Sequence, residues 1–201
     1  LIEMRFKNIL LTGVGGQGIL TMGRILGLTA ISKGVKALIA ETHGMAQRGG
    51  SVVVHVRIGD VDSPLIGFGM ADSIIGLELI ESLRALNYAN PKTLLILNDR
   101  IIRPPGAKRI PSRSEIISEL NRLKLNYILM DALKLAIEAG SSISENIVLL
   151  GGLFATNILS EYINACDVED ILKKTFSGRA FEVNIKAFKY GYEYVLNYLG
   201  G

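Results

Sequence analysis

A single cysteine, Cys166, stands among 201 residues, with no tryptophan and only 2 histidines. One thiol cannot form an internal disulfide framework, nor supply the ligands of an all-cysteine iron–sulfur cluster. The compartment expected from this is the cytoplasm. Metal-ligand spacing, a Ser-His-Asp order and a Walker lysine are all lacking, so the sequence names no metal site and no nucleophile of its own. An excess of one charge is also lacking: 22 basic residues against 19 acidic ones leave a net charge of +3, with no run of Lys and Arg. That balance gives no argument for nucleic acid as a partner. Long apolar runs are missing too. The most apolar stretch, Ile147 to Ile163, is interrupted by Gly151, Gly152, Thr156, Asn157, Ser160 and Glu161. It falls short of the roughly 20 residues needed to span a bilayer and reads as a buried core or interface helix. Leu1 to Lys7 is too short and too charged for a signal peptide.

Glycine is plentiful, at 22 residues, and its placement organises the chain. Asn8 to Ile19 reads Asn-Ile-Leu-Leu-Thr-Gly-Val-Gly-Gly-Gln-Gly-Ile: an apolar run, a glycine turn, then the start of an amphipathic segment that ends near Lys33 and Gly34. Gly13, Gly15 and Gly18 satisfy the G-x-G-x-x-G pattern, and Gly16 is an additional glycine within it. Without a Cβ, such a turn lets backbone N–H groups approach an anion at a helix N-terminus, where the helix dipole favours negative charge. Gly13, Gly15, Gly16, Gln17 and Gly18 are therefore candidate binding residues. A turn that serves only chain geometry is the alternative. Glu41, 23 residues beyond Gly18, sits where a dinucleotide site would place an acid for the ribose.

The rest alternates strands and helices. Val35–Ala40 is a predicted strand, Glu41–Gly50 a loop, and Ser51–Ile58, rich in β-branched residues, a strand. The loop between these strands is too short for a parallel crossover, so mixed strand directions are expected. Strands follow at Ala71–Leu77, Thr93–Asn98 and Asn126–Met130. Helices are predicted at Glu78–Leu86, after the capping box Ser112-x-x-Glu115, over Asp131–Ala139, from Ser142-x-x-Glu145 onward, over Val168–Phe176 with Asp167 as cap, and over Glu182–Leu199. The expected fold is α/β: a three-layer α/β/α sandwich with a mixed, mostly parallel sheet and a Rossmann-like glycine turn. It would form one domain over 1–201, helical from about 142.

The second candidate centre is the loop Thr42–Gly50. His43, Gln47 and Arg48 bring a titratable ring, an amide and a fixed cation, while Gly49 and Gly50 permit close approach. In open α/β sheets ligands bind outside the carboxyl ends of strands, so this loop and the glycine turn should share one rim. His55, in mid-strand, reads as a sheet-face histidine, and Arg48 could pair with Glu41 or Asp60. The C-terminal tyrosines read as packing residues, and Cys166 as structural.

Gly13-Val-Gly-Gly-Gln-Gly18 followed by Glu41-Thr-His-Gly-Met-Ala-Gln-Arg-Gly-Gly50 resembles the gamma-type subunits of 2-oxoacid:ferredoxin oxidoreductases, and the second loop resembles the form seen in indolepyruvate enzymes, where the subunit is termed beta. Ser63-Pro64-Leu65-Ile66, Ala71-Asp72, Asp131-Ala132, Asn146 with Leu149-Leu150-Gly151, and Gly191-Tyr192 extend the likeness along the chain. The resemblance implies a subunit that is inactive alone and binds no cofactor by itself. Thiamine diphosphate, magnesium and iron–sulfur clusters are then expected in a large partner subunit. The reaction implied is CoA-dependent oxidative decarboxylation of a 2-oxo acid, with electrons passed to ferredoxin and neither nucleic acid nor membrane as partner. It further implies that Gly13–Gly18 and His43–Gly50 line a shared active site, with His43, Gln47 and Arg48 as candidates for contact with the chemistry. A NAD(P)- or nucleotide-binding regulatory module is the alternative from a different class; it uses Gly13–Gly18 and Glu41 and leaves His43–Gly50 without a purpose.

Overall fold

Apolar segments with β-branched residues become strands, and in the computed structural model, which describes residues 6–44, 50–103 and 106–200 apart from the side chain of His43, six of them form one sheet. The strands are β1 (Phe6–Val14), β2 (Ala37–His43), β3 (Ser51–Gly59), β4 (Ser73–Gly76), β5 (Leu94–Asn98) and β6 (Asn126–Met130), in the order β2-β3-β1-β4-β5-β6. β1, β4, β5 and β6 run parallel, whereas β3 is antiparallel to both its neighbours. The short connection between β2 and β3 dictates this, because a hairpin can only reverse direction.

Alternation along each strand divides the core between two faces. Ile9 and Leu11 of β1, Val52 to Ile58 at every second position of β3, and Ile128 and Met130 of β6 meet a helical layer on one face. That layer contains α1 (Ile19–Ser32), α4 (Ala132–Ala139), α5 (Glu145–Ala155), α6 (Ala165–Thr175) and α7 (Gly178–Gly200). Leu10, Ile74, Leu95 and Leu97 face the other way, toward α2 (Leu79–Arg84) and α3 (Arg113–Arg122). The expected three-layer sandwich is thus the fold.

Local boundaries depart from the sequence reading at several points. Glu41, Thr42 and His43 belong to β2, not to a loop, because Val54, Val53 and Val52 of β3 stand opposite them and carry the ladder on. Ser142 does not cap α5: Ser142–Ser144 form a 3-10 turn, and the Glu145 carboxylate that would close a capping box is held by Asn98 and Arg100. α6 is capped by Asn164, with Asp167 three residues on completing the box, so Asp167 is the reciprocal partner and not the cap itself. α7 opens at Gly178, four residues before the predicted start at Glu182. The apolar stretch after Ile147 leaves the helix after Ala155, and every α5 residue from Asn146 to Ala155 is buried. Among the described residues no helix is long and apolar enough to cross a membrane.

Candidate functional site

Three strand ends stand side by side on the carboxyl rim of the sheet. Val52 at the start of β3 lies opposite Gly13 of β1 on one side and opposite His43 of β2 on the other. The Gly15 N–H donates to the Gly50 carbonyl at 2.9 Å, which ties the glycine turn to the far end of the second loop. Gly13, Gly15, Gly16, Gln17, Gly18 and Gly50 are thereby assembled on one rim, with the His43 backbone beside them. The His43 side chain and Gln47, Arg48 and Gly49 lie outside the described residues, as does any pairing of Arg48 with Glu41 or Asp60.

The turn is built around the Gln17 side chain. Its Oε1 accepts the Val14 N–H at 2.8 Å, and its Nε2 donates to the Leu77 carbonyl at 3.0 Å. This fold-back requires glycine at 13, since a Cβ there would lie 2.8 Å from Gln17 Oε1 and 3.0 Å from Leu77 Cβ. Gly16 and Gly18 adopt φ of 102° and 77°, a region that costs other L-residues about 1–2 kcal/mol. The Gln17 N–H donates to the Val14 carbonyl. The amides of Val14, Gly15 and Gln17 are therefore engaged within the chain. Those of Gly16 and Gly18 make no bond to another described residue.

β1 and β4 lie at the point where the connecting helices pass to opposite faces of the sheet, α1 to one and α2 to the other, which is the usual ligand crevice of an open α/β sheet. Here the Gln17 amide bridges the crevice by joining β1 to the end of β4. A pyrophosphate could not settle there on the Val14 and Gly15 amides without displacing bonds already made. The Gly16 and Gly18 amides are the ones in the turn that remain without a bond to another described residue.

Five further side chains complete the rim, none of which the sequence reading assigned to the site. The Leu77 carbonyl that receives Gln17 also receives Asn98 Nδ2, at 3.3 Å. Asn98 Nδ2 donates as well to Glu145 Oε2 at 2.7 Å, and Asn98 Oδ1 accepts the Ala132 N–H at 3.1 Å. The other Glu145 oxygen pairs with the Arg100 guanidinium. The next residue, Asn146, donates from Nδ2 to the Gly18 carbonyl at 3.0 Å. α5 therefore enters the rim with one residue on Arg100 and the next on the glycine turn. Glu78 closes the end of β4, accepting the Glu81 N–H on Oε2 and the Ile102 N–H on Oε1.

Elsewhere, His55 is buried, as a sheet-face residue should be; its Nδ1 accepts the Ile66 N–H and burial lowers its pKa. Cys166 is exposed and free. Among the C-terminal tyrosines, Tyr190 and Tyr192 pack against the core while Tyr198 is exposed. Among the described residues, no group of three or more His, Cys, Asp or Glu is placed to hold a metal ion.

The profile of the protein family described as pyruvate ferredoxin/flavodoxin oxidoreductase matches residues 8–194. Indolepyruvate oxidoreductase subunit IorB of Archaeoglobus fulgidus is 43% identical over 194 residues, which span 94% of this chain and 96% of that one. The subunit of the same name from Pyrococcus horikoshii is 40% identical over 195 residues, spanning 94% and 95%. Among solved structures, the gamma subunit of a keto/oxoacid ferredoxin oxidoreductase from Geobacter sulfurreducens superposes with a TM-score of 0.72 at 22% identity, over 95% of this chain and 99% of the other. At that identity the structure speaks to the fold alone.

Proposed function

This chain belongs to the pyruvate ferredoxin/flavodoxin oxidoreductase family, and from that premise we propose that it is the small, gamma-type subunit of a 2-oxoacid:ferredoxin oxidoreductase acting on indolepyruvate or a related aryl 2-oxo acid. It works as a single domain in the cytoplasm and is inactive alone. Its large partner subunit holds thiamine diphosphate, magnesium and the iron–sulfur clusters, which supply the decarboxylation and electron-transfer chemistry. CoA is the co-substrate and ferredoxin the electron acceptor. What this chain contributes is a wall. The observation that carries this reading is the Gly15–Gly50 hydrogen bond, which makes one lip of Gly50 and a glycine turn whose Val14, Gly15 and Gln17 amides are already engaged. A lip of that kind suits closure over a site held by another chain better than capture of a ligand by itself. Near-full-length similarity to subunits named IorB supports the choice of substrate class.

The test is reconstitution with a thiamine-diphosphate subunit encoded beside this chain. Turnover of indolepyruvate that needs both chains is expected. Arg48→Ala should then change turnover or the dependence on CoA and 2-oxo acid, and unchanged values would remove Arg48 from the site. Micromolar binding of NAD or NADP to the chain alone would instead favour a nucleotide-binding module.

A further inference from the structure

The rim holds a charged group that neither candidate loop supplied. Arg100 follows the end of β5 by two residues, and its guanidinium is paired with Glu145. The Arg100 side chain retains 36% of its exposure, whereas that of Glu145 is reduced to 12%. The carboxylate is thus the buried half of the pair and the cation the accessible half. Both Glu145 oxygens are engaged, one by Asn98 and one by Arg100, so the carboxylate cannot swing away without breaking two contacts. A guanidinium carries five N–H donors in a planar fork, and one edge can hold a carboxylate while the other receives a second anion.

Arg100 is also fixed relative to the glycine turn through Glu145, which is tied to the turn in two ways. One runs through side-chain amides: Gln17 and Asn98 converge on the Leu77 carbonyl, and Asn98 passes directly to Glu145. The other runs through the start of α5, where consecutive residues grasp Arg100 and the Gly18 carbonyl. Consecutive Cα atoms are about 3.8 Å apart, so the cation and the turn are held by neighbouring anchor points. The arginines of α3 differ in kind. Arg122 pairs with Glu119 of its own helix, and Arg113 is held by both oxygens of Asp99.

We propose that Arg100 is an anion-recognising residue of the shared active site, and that Gln17, Asn98 and Glu145 are positioning residues that hold it against the glycine turn. The inference rests on the reading of this rim as one wall of a partner's site. Its ligand is an oxyanion, either the carboxylate of the 2-oxo acid or a phosphate of CoA. Engagement by Arg100 leaves the Gly16 and Gly18 amides available to the same group or to its neighbour.

The experiment compares assembled complexes. Arg100→Met combined with Glu145→Gln removes both members of the pair, so no buried carboxylate is stranded. Arg100→Lys keeps the charge and loses the fork. Gln17→Met removes the bridge while nearly conserving volume. With the double variant, KM for one substrate should rise at least about tenfold with kcat within about twofold, the pattern of lost binding. Arg100→Lys should recover part of the loss, and Gln17→Met should move the same KM by less. A change confined to CoA identifies a phosphate, and one confined to the 2-oxo acid identifies the carboxylate. Unchanged KM for both substrates overturns the inference. So does a matched loss of thermal stability and kcat in the double variant and in Arg100→Lys, which marks a structural pair. Failure of the unmodified chain to assemble overturns the proposed function, and the inference with it; an active complex indifferent to Arg100 overturns the inference alone.

Discussion

Two regions of this molecule are rich in glycine, and they use it for opposite purposes. Where α5 crosses α7, Gly151 and Gly191 let two helices approach until backbone meets backbone. A Cβ on Gly191 would lie 1.8 Å from the Val148 carbonyl oxygen, and one on Gly151 would lie 2.0 Å from that of Phe188. At the rim, Gly16 has nothing within 4 Å of such a Cβ, and Gly18 meets only the Asn146 side chain. There the need is for positive φ. The first region relies on the missing side chain, the second on the backbone freedom that its absence permits. The seam should therefore govern whether the chain folds, and the rim how the folded chain meets its ligands.

Breaking the seam should give the largest effect. Gly191→Ala places a methyl inside a backbone carbonyl, which no rotamer change can relieve, so α5 and α7 must separate. A loss of about 3 kcal/mol is expected, the upper end of the usual cost of overpacking. It would appear as a lowered urea midpoint with little change in slope, while activity per folded molecule in the assembled enzyme stays near normal. A midpoint close to that of the unmodified chain would mean that the helices can part at little cost, and the contrast with the rim would fail.

At the rim, Gly18→Ala should cost about 2 kcal/mol. About 1–2 kcal/mol is left-handed strain, and a part of the roughly 1 kcal/mol that a hydrogen bond contributes is added as Asn146 is pushed off the Gly18 carbonyl. Gly16→Ala carries the strain without the collision and should cost less. The sharper difference is functional: both rim variants should alter KM or kcat per folded molecule, which the seam variant should not. Should Gly18→Ala lower stability alone, the rim would be only a second packing device.

The contrast also shows what could be read from the chain beforehand. Ser112 and Glu115 form the capping box their spacing announced, and Asn126–Met130 is a strand to the residue, because each is marked by a local pattern of residue types. The glycine turn was equally legible as a turn. What could not be seen was that Gln17 folds back over Gly13, or that Asn146 reaches Gly18 from 128 positions away. Asn98, Arg100 and Glu145 carry no motif; they come together only because α5 begins where β5 ends. Asn98 as the last residue of a buried strand was the one available signal, since a polar side chain in that position needs partners. The two glycine classes look alike in sequence, and only the neighbouring backbone separates them.

The smallest expected effect lies outside both regions and serves to isolate them. His55 faces the layer opposite the α5–α7 seam, with Nδ1 accepting the Ile66 N–H at 3.2 Å and its ring edge-on to Tyr88 at 5.4 Å. Burial holds its pKa below the ordinary value near 6.5. The unfolded chain therefore takes up a proton at a higher pH than the folded one does. The stabilisation is fully present above about pH 6.5 and is lost as pH falls through the window below it, toward the depressed folded value. Urea midpoints should accordingly decline from about pH 7.5 to about 5.5, and His55→Gln, which can keep an acceptor toward Ile66, should flatten that decline. Because distant sites contribute independently, Gly191→Ala and Gly18→Ala should each shift the whole curve downward without changing its slope. A slope that steepens in Gly18→Ala but not in Gly191→Ala would show that the rim communicates with the opposite layer through β3, which carries Val52 at the rim and His55 beneath it.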